Sequence, residues 1–399
     1  MKNAKKKKIN QRTKKKSFKK QFRKNIQRAL VEHLGWKKSS AEFASRLVCS
    51  LILVTMVWHK KLALGCDSKA QKRSVTRRIQ RFFADTVINY DLFSAMLYKL
   101  LGLKGKLTIV LDRTNWDFGE SHINIFVAGV VVKTQNMTQG FVVPLAWVVF
   151  NKKGNSNTEE RKDLMEKIVR VVGEGNIETI LADREFIGDE WIAFLHKHKI
   201  PFIIRLRKNL YVEYEGKLVH ASDLVGKAQY GEKGLFDVKI KGISVKLAAT
   251  RSIDGELVIL IASLDVPGDP LDRYRLRWLI ELFFRSIKTR GFNLEGTHMT
   301  KPARIKSLFA LIALASVCTV HAGIMRHSFK KIPIKNHGRP TYSLFTYGLD
   351  FLQSLFSGGP IPSWMFQNLF EGPLFALKQE QLRAFPPQRK QLISALDGV

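Results

Sequence analysis

The sequence predicts a mixed α/β protein: a sheet-centred core between helical regions, with a β-rich block set into the core. Three patterns carry that expectation. Between residues 106 and 206, short apolar runs alternate with segments of helical periodicity. Before residue 105 the apolar spacing is helical throughout. From 207 to 268 the chain turns Gly-rich and strand-like, and helical spacing returns at 269.

The chain has 399 residues, and 45% are hydrophobic, enough for a sizeable core. The formal net charge is +33. The first 28 residues hold 14 Lys or Arg and no acid, which leaves +19 on the remaining 371. The body is therefore basic as well as the tail, and a polyanion such as nucleic acid is the simplest partner. Cys49, Cys66 and Cys318 are too few and too widely spaced for a disulfide framework or a zinc pattern. No apolar run follows the basic N-terminus, so a secretory signal is not expected. Residues 48–58 are too short to span a bilayer. Residues 308–325 are uncharged, but Ser316, Thr319, His321 and Gly323 dilute them, and a buried core helix is expected there.

Residues 1–28 read as a basic arm, disordered until phosphate neutralises it. Residues 29–105 read as a small helical domain. There Ser74 is a candidate N-cap, and Arg77, Arg78 and Arg81 form a cationic face suited to DNA. A solvated face on a packing helix explains the same three residues equally well. Residues 106–206 give the order βββαβαβ, the ribonuclease-H-like order, in which the first and fourth strands lie side by side. The β-rich insertion covers 207–268. Residues 269–330 return to helices and complete the core. The C-terminal region, 331–399, contains a helix expected over 342–356.

Two runs end on an acid. Asp112 follows the apolar residues 107–111, and Asp183 follows 177–182. Both read as buried strands with a carboxylate at the C-terminal end, where α/β sheets place their sites. Asp117, in a turn-like segment, is the rival for Asp112. The third acid lies on the stretch 271–291. On a regular helix, Tyr274, Arg277, Glu281 and Lys288 fall on one stripe, while Leu276, Leu279, Ile280, Phe283 and Ile287 cover other sides. Two strand-end aspartates and a helix glutamate make an oxygen donor set for Mg²⁺ or Mn²⁺. An internal ion-pair ladder is the plainer reading of the helix alone.

These residues resemble a known family. Tyr274, Arg277, Glu281 and Lys288 have the spacing of the YREK signature of bacterial insertion-sequence DDE transposases. The segments 111–116 and 182–186 are similar to that family's two aspartate segments. Gly154, Asn155 and Ser156, followed by Glu160 and Arg161, resemble a family loop. The resemblance covers roughly residues 70–355. It implies a ribonuclease-H-like core with Asp112, Asp183 and Glu281 as catalytic and metal-binding carboxylates, and Mg²⁺ as cofactor. It also implies that the protein cuts at the terminal inverted repeats of its own element and joins them to target DNA, through a hairpin in some relatives. Tyr274, Arg277, Trp278 and Lys288 would grip DNA near the cut, and Arg205, Arg207 and Lys208 would hold backbone phosphates. Relatives stack a displaced base on a tryptophan in the β insertion, but this chain has no Trp from 192 to 277. A homodimer pairing two double-stranded DNA ends, a cytoplasmic, nucleoid-associated location and no membrane partner are further expectations. The alternative is a decayed or domesticated copy that binds DNA without cutting it.

Overall fold

The computed structural model describes residues 2–103, 105–133, 140–226, 232–252, 255–336 and 338–360, with side chains from Phe18 onward. Most of the expected C-terminal region, from 361 to 399, lies outside the described residues.

Five helices come first: α1 (Lys2–Leu34), α2 (Lys38–Val54), α3 (His59–Gly65), α4 (Lys72–Asp85) and α5 (Tyr90–Leu101). The expected disorder of residues 1–28 is corrected here, because α1 runs through that arm. The physical reason is a stripe at helical spacing: Phe18, Phe22, Ile26, Ala29 and Leu30 are buried, and both phenylalanine rings meet Phe356. The expected cap at Ser74 is also corrected. α4 starts two residues earlier, with Gln71 at the N-cap.

The core then follows as β1 (Leu107–Phe118), β2 (Ser121–Val132), β3 (Phe141–Asn151), α6 (Thr158–Val172), β4 (Ile177–Ala182), α7 (Asp189–Lys197) and β5 (Phe202–Arg205). β1 pairs antiparallel with β2 and parallel with β4, which makes this the ribonuclease-H-like arrangement. Asp112 does not end its strand, as the apolar run suggested. β1 continues six residues further, paired there only with β2.

The β-rich stretch contributes β6 (Tyr211–Tyr214), β7 (Lys217–His220), a short α8 (Ala221–Val225), β8 (Gly234–Ile240), β9 (Ile243–Arg251) and β10 (Leu257–Ala262). These strands do not form a separate layer. β10 pairs with β5, so one ten-stranded sheet runs β3-β2-β1-β4-β5-β10-β9-β8-β6-β7.

The remaining helices are α9 (Pro270–Tyr274), α10 (Trp278–Arg285), α11 (Pro302–Phe329) and α12 (Leu344–Ser357), the last capped by Ser343. α11 is long and apolar enough to cross a membrane, yet its apolar window is entirely buried inside the protein. It packs on β3, α2, α5 and α12. A Cβ on Gly348 would lie 1.9 Å from Thr319 O, so the α11–α12 crossing requires glycine there.

His321 sits within α11 at 2% exposure, and burial pushes its imidazole down to about 4. The unfolded chain takes up this proton near pH 6.5, whereas the folded chain resists it until about 4. The contribution to stability is thus complete above pH 6.5 and is lost as pH falls towards 4. In denaturant titrations, His321→Leu should flatten the acid-side loss by up to about 3 kcal/mol relative to the parent protein. Parallel pH profiles for the two proteins would discount this origin.

Candidate active site

β1 and β4 run parallel, with Leu111 opposite Ala182. The next residues, Asp112 and Asp183, therefore stand side by side and project to the same face. Each carboxylate accepts a hydrogen bond from the following backbone N–H, Arg113 to Asp112 and Arg184 to Asp183, both at 2.7 Å. Burial pushes Asp112 up to about 7, against the pull of Arg277 and the Arg113 N–H, while Glu185 and Asp183 add repulsion.

The stretch that covers this face is one continuous helical path but not a uniform α-helix. α9 tightens into a 3₁₀ turn at Arg275–Arg277, resumes as α10, and widens into a π turn at Ser286–Arg290. Asp269 caps the start by accepting from Leu271 N–H, and Pro270 occupies the first turn. Arg277 lies 3.6 Å from Asp112 Oδ2 and is hydrogen bonded to Glu281. Its guanidinium carbon sits 5.8 Å from the Tyr274 ring centre. Burial raises the Tyr274 phenol, whose hydroxyl is enclosed and has no hydrogen-bond partner among the described residues.

Asp112 and Asp183 are neighbours, but Glu281 reaches them through Arg277. No three His, Cys, Asp or Glu side chains among the described residues are grouped closely enough to hold an ion. The donor set still suits a hard dication: all its ligating atoms are oxygens, and Asp112 is a carboxylate whose ionisation is held back by burial and like charge. Asp117 is on the opposite face of β1, hydrogen bonded to His122 at 2.8 Å.

The flanking sequence hid a clamp. Arg113 binds Glu185 with two 2.6 Å hydrogen bonds, and also donates to Gly154 O at 2.6 Å and Asn155 Oδ1 at 2.7 Å. Arg161, at 6% exposure, donates to Ser156 O at 2.7 Å and to Glu185 O at 2.9 Å. Asn157 and Glu160 form a capping box, and Lys152 pairs with Glu160 at 2.6 Å. The loop after β3 and the turn after Asp183 are thereby tied to the strand carrying Asp112. The short Gly-Asn-Ser and Glu-Arg segments were the signal for this clamp.

The other expected residues scatter. Trp278 is half-buried at the start of α10. Lys288 does not face the carboxylates; it donates to Asn115 O at 3.2 Å and pairs with Glu295 at 2.5 Å. Arg205 is tied to Glu256 at 2.6 Å, whereas Arg207 and Lys208 are exposed. Arg77, Arg78 and Arg81 are exposed on α4, with Arg78 4.1 Å from the Phe43 ring centre. Arg73 extends their stripe and was missed.

Residues 103–318 match the family model described as Transposase DDE domain. The chain belongs to this family. It is a DDE transposase, an enzyme class that uses divalent metal ions and acts on DNA. No curated protein matches the chain. Among solved structures it is similar to a piggyBac transposase synaptic complex with hairpin DNA, at 11% identity and a TM-score of 0.42, over 91% of this chain and 80% of that one. A second likeness is to Endonuclease V from Bacillus subtilis, at 12% identity and a TM-score of 0.24, over 57% and 92% of the two chains.

The clamp yields a stability prediction. Glu185→Ala leaves the mostly buried Arg113 guanidinium without its carboxylate and should cost about 3 kcal/mol. Adding Arg113→Met should recover most of that loss in a double-mutant cycle read by chemical denaturation. Additive losses would show that the pair is not coupled.

Proposed function

We propose that this transposase cuts DNA at the ends of its own element and joins the freed ends to target DNA. The carrying observation is the pair Asp112 and Asp183, set side by side by parallel register, with Arg277 and Glu281 held against them by one helix. Asp112, Asp183 and Glu281 would hold Mg²⁺, with Mn²⁺ as a substitute, because hard cations prefer oxygen ligands. When bound, such an ion supplies electrostatic stabilisation to a reacting phosphodiester. Hydrolysis at the element end then leaves a 3′-hydroxyl, and that hydroxyl attacks a target phosphodiester. A hairpin on the way is compatible with the same carboxylates.

The chain's own groups would do the positioning. Arg277 is the cation nearest the carboxylates, and its fork suits a non-bridging phosphate oxygen. Tyr274 and Trp278 flank it on the same helix and offer ring surface to the terminal nucleotide. Arg207 and Lys208, exposed beyond β5, would hold backbone phosphates.

On α4, Arg73, Arg77 and Arg81 recur every four residues and have no ion pair among the described residues. They span roughly 12 Å of helix, comparable to the width of a DNA major groove. We assign α4, with Arg78 beside it, to reading the element's end sequence. Two ends must be handled together, so a homodimer on DNA is the working assembly.

Asp112→Ala, Asp183→Ala and Glu281→Ala should each lower metal-dependent nicking of terminal-repeat DNA by about a thousandfold or more, with duplex binding retained. Nicking preserved in all three variants would remove the assignment. Binding without nicking in the unaltered protein, under either Mg²⁺ or Mn²⁺, would favour the decayed-copy alternative.

A further inference from the structure

The parallel ladder between β1 and β4 is not regular. Leu107 pairs with Ile177, but Thr108 pairs with Thr179, so β4 carries one extra residue, Glu178, at that step. Bulges are rare between parallel strands, and this one has a consequence at the far end of the ladder. With the extra residue, Leu111 lies opposite Ala182, and Asp112 and Asp183 come level on one face. Continued from Leu107 and Ile177 without it, the pairing would set Asp112 opposite Ala182. Asp183 would then stand one residue further on and point to the other face, because side chains alternate along a strand. The pairing of the two aspartates therefore depends on a bulge near the start of β4.

Glu178 is also where the helical path over the carboxylates is fastened. Its carboxylate takes both arms of the Arg273 guanidinium, Nη1 at 2.8 Å and Nη2 at 3.3 Å, and accepts from Thr108 Oγ1 at 3.3 Å. The Arg273 and Glu178 side chains are only 13% and 16% exposed. Arg273 Nε also donates to Pro267 O, in the approach to the helix. One carboxylate thus joins β1, the bulged residue of β4 and the helix entrance. A charged pair this enclosed is seldom favoured over apolar side chains of the same bulk, so packing alone does not account for it. Arg273 stands next to Tyr274 and one i,i+4 step before Arg277, so its placement carries to the side chains over Asp112.

We propose that Glu178 and Arg273 are positioning residues for the cutting reaction. The pair holds the bulge that brings Asp112 and Asp183 level, and it sets where Arg277 and Glu281 meet them. Both residues act through others. Without the charge at Glu178 the bulge loses its tether to Arg273, and β4 is free to relax towards the regular pairing, which parts the two aspartates. Without Arg273 the helix entrance loses its hold on β4, and Arg277 shifts relative to Asp112. Both losses disturb one geometry, so their effects on the reaction are coupled rather than additive. A displacement of about 1 Å is enough to lower a rate by about a hundredfold. Groups that orient metal-binding side chains cost about ten- to a hundredfold in metal affinity or activity when they are removed.

This role rests on Asp112 and Asp183 being the metal carboxylates, and one set of measurements separates the two. Glu178→Gln, Arg273→Met, their double variant and Arg273→Lys are compared with the unaltered protein and with Asp112→Ala and Asp183→Ala. Mn²⁺ affinity is read by electron paramagnetic resonance on the whole protein, and kcat and KM are read for nicking of a terminal-repeat duplex. Glu178→Gln and Arg273→Met should each weaken Mn²⁺ binding by about tenfold and lower kcat by about tenfold or more, with KM within about twofold. The double variant should lose little more than the worse single one, and Arg273→Lys, which keeps the charge, should recover part of each loss. Glu178→Gln keeps the shape of the side chain, so it tests the pair even where Arg273→Met folds poorly. Variants that lose stability in denaturant yet bind Mn²⁺ and nick like the parent would make the pair structural only and overturn the proposal. If Asp112→Ala and Asp183→Ala leave Mn²⁺ binding unchanged, the assignment of those aspartates falls, and the positioning role with it.

Discussion

Two like charges on adjacent parallel strands are the constraint from which the site is built. Parallel register leaves Asp112 and Asp183 no choice of side, because partners one step beyond Leu111 and Ala182 must share a face. Burial and mutual repulsion then hold Asp112 near 7. A cation has to answer that charge, and in the protein chain itself the answer is Arg277. The same guanidinium binds Glu281, so one residue both offsets the aspartate and carries the third carboxylate to it. The ladder of ion pairs and the proposed carboxylate set, rivals when read from the helix alone, share Asp112 and Glu281.

The helix can do this because both its ends are anchored to the two strands that matter. At its entrance Arg273 binds Glu178, near the start of β4, at 2.8 Å, with both side chains largely buried. At its exit Lys288 holds the backbone of β1 at Asn115. The chain between β5 and this helix does not interrupt the core; it adds five strands to the sheet and returns along β10 beside β5. An insertion that extends the sheet delivers Asp269 and Pro270 to a fixed place, which an independent module on a loop would not. On the other face, Arg113 and Arg161 tie Glu185 to the loop after β3, so the turn carrying Asp183 cannot drift from β1.

Much of this was legible because it rests on local pattern. Alternating runs gave the βββαβαβ order, and apolar runs ending in an acid located Asp112 and Asp183. What stayed hidden was set by pairing between distant segments. Nothing in residues 107–118 shows where β4 departs, so Asp112 looked like a strand end. Arg205 looked like a free cation because its partner, Glu256, lies four strands later in the chain, just before β10. The charge density of residues 1–28 outweighed Phe18, Phe22 and Ile26 in the reading, but a stripe of rings that meets Phe356 is worth more than local repulsion. Arg77, Arg78 and Arg81 were legible as an exposed face, though only coordinates show that Arg73 and Arg77 share it unpaired.

The departure of Lys288 from its expected stripe has a geometric cause with a consequence. A 3₁₀ turn completes a revolution in three residues, so Tyr274 and Arg277 come closer into line than a regular α-helix would bring them. A π turn is wider than an α turn, so the residues of Ser286–Arg290 lag in rotation. The stripe read from the sequence is thereby divided. Its first three members serve the carboxylate face of β1, and its fourth grips the same strand at Asn115. Uniform winding would have aimed all four at one charge. Uneven winding lets a single helix hold the strand that bears Asp112 at two points.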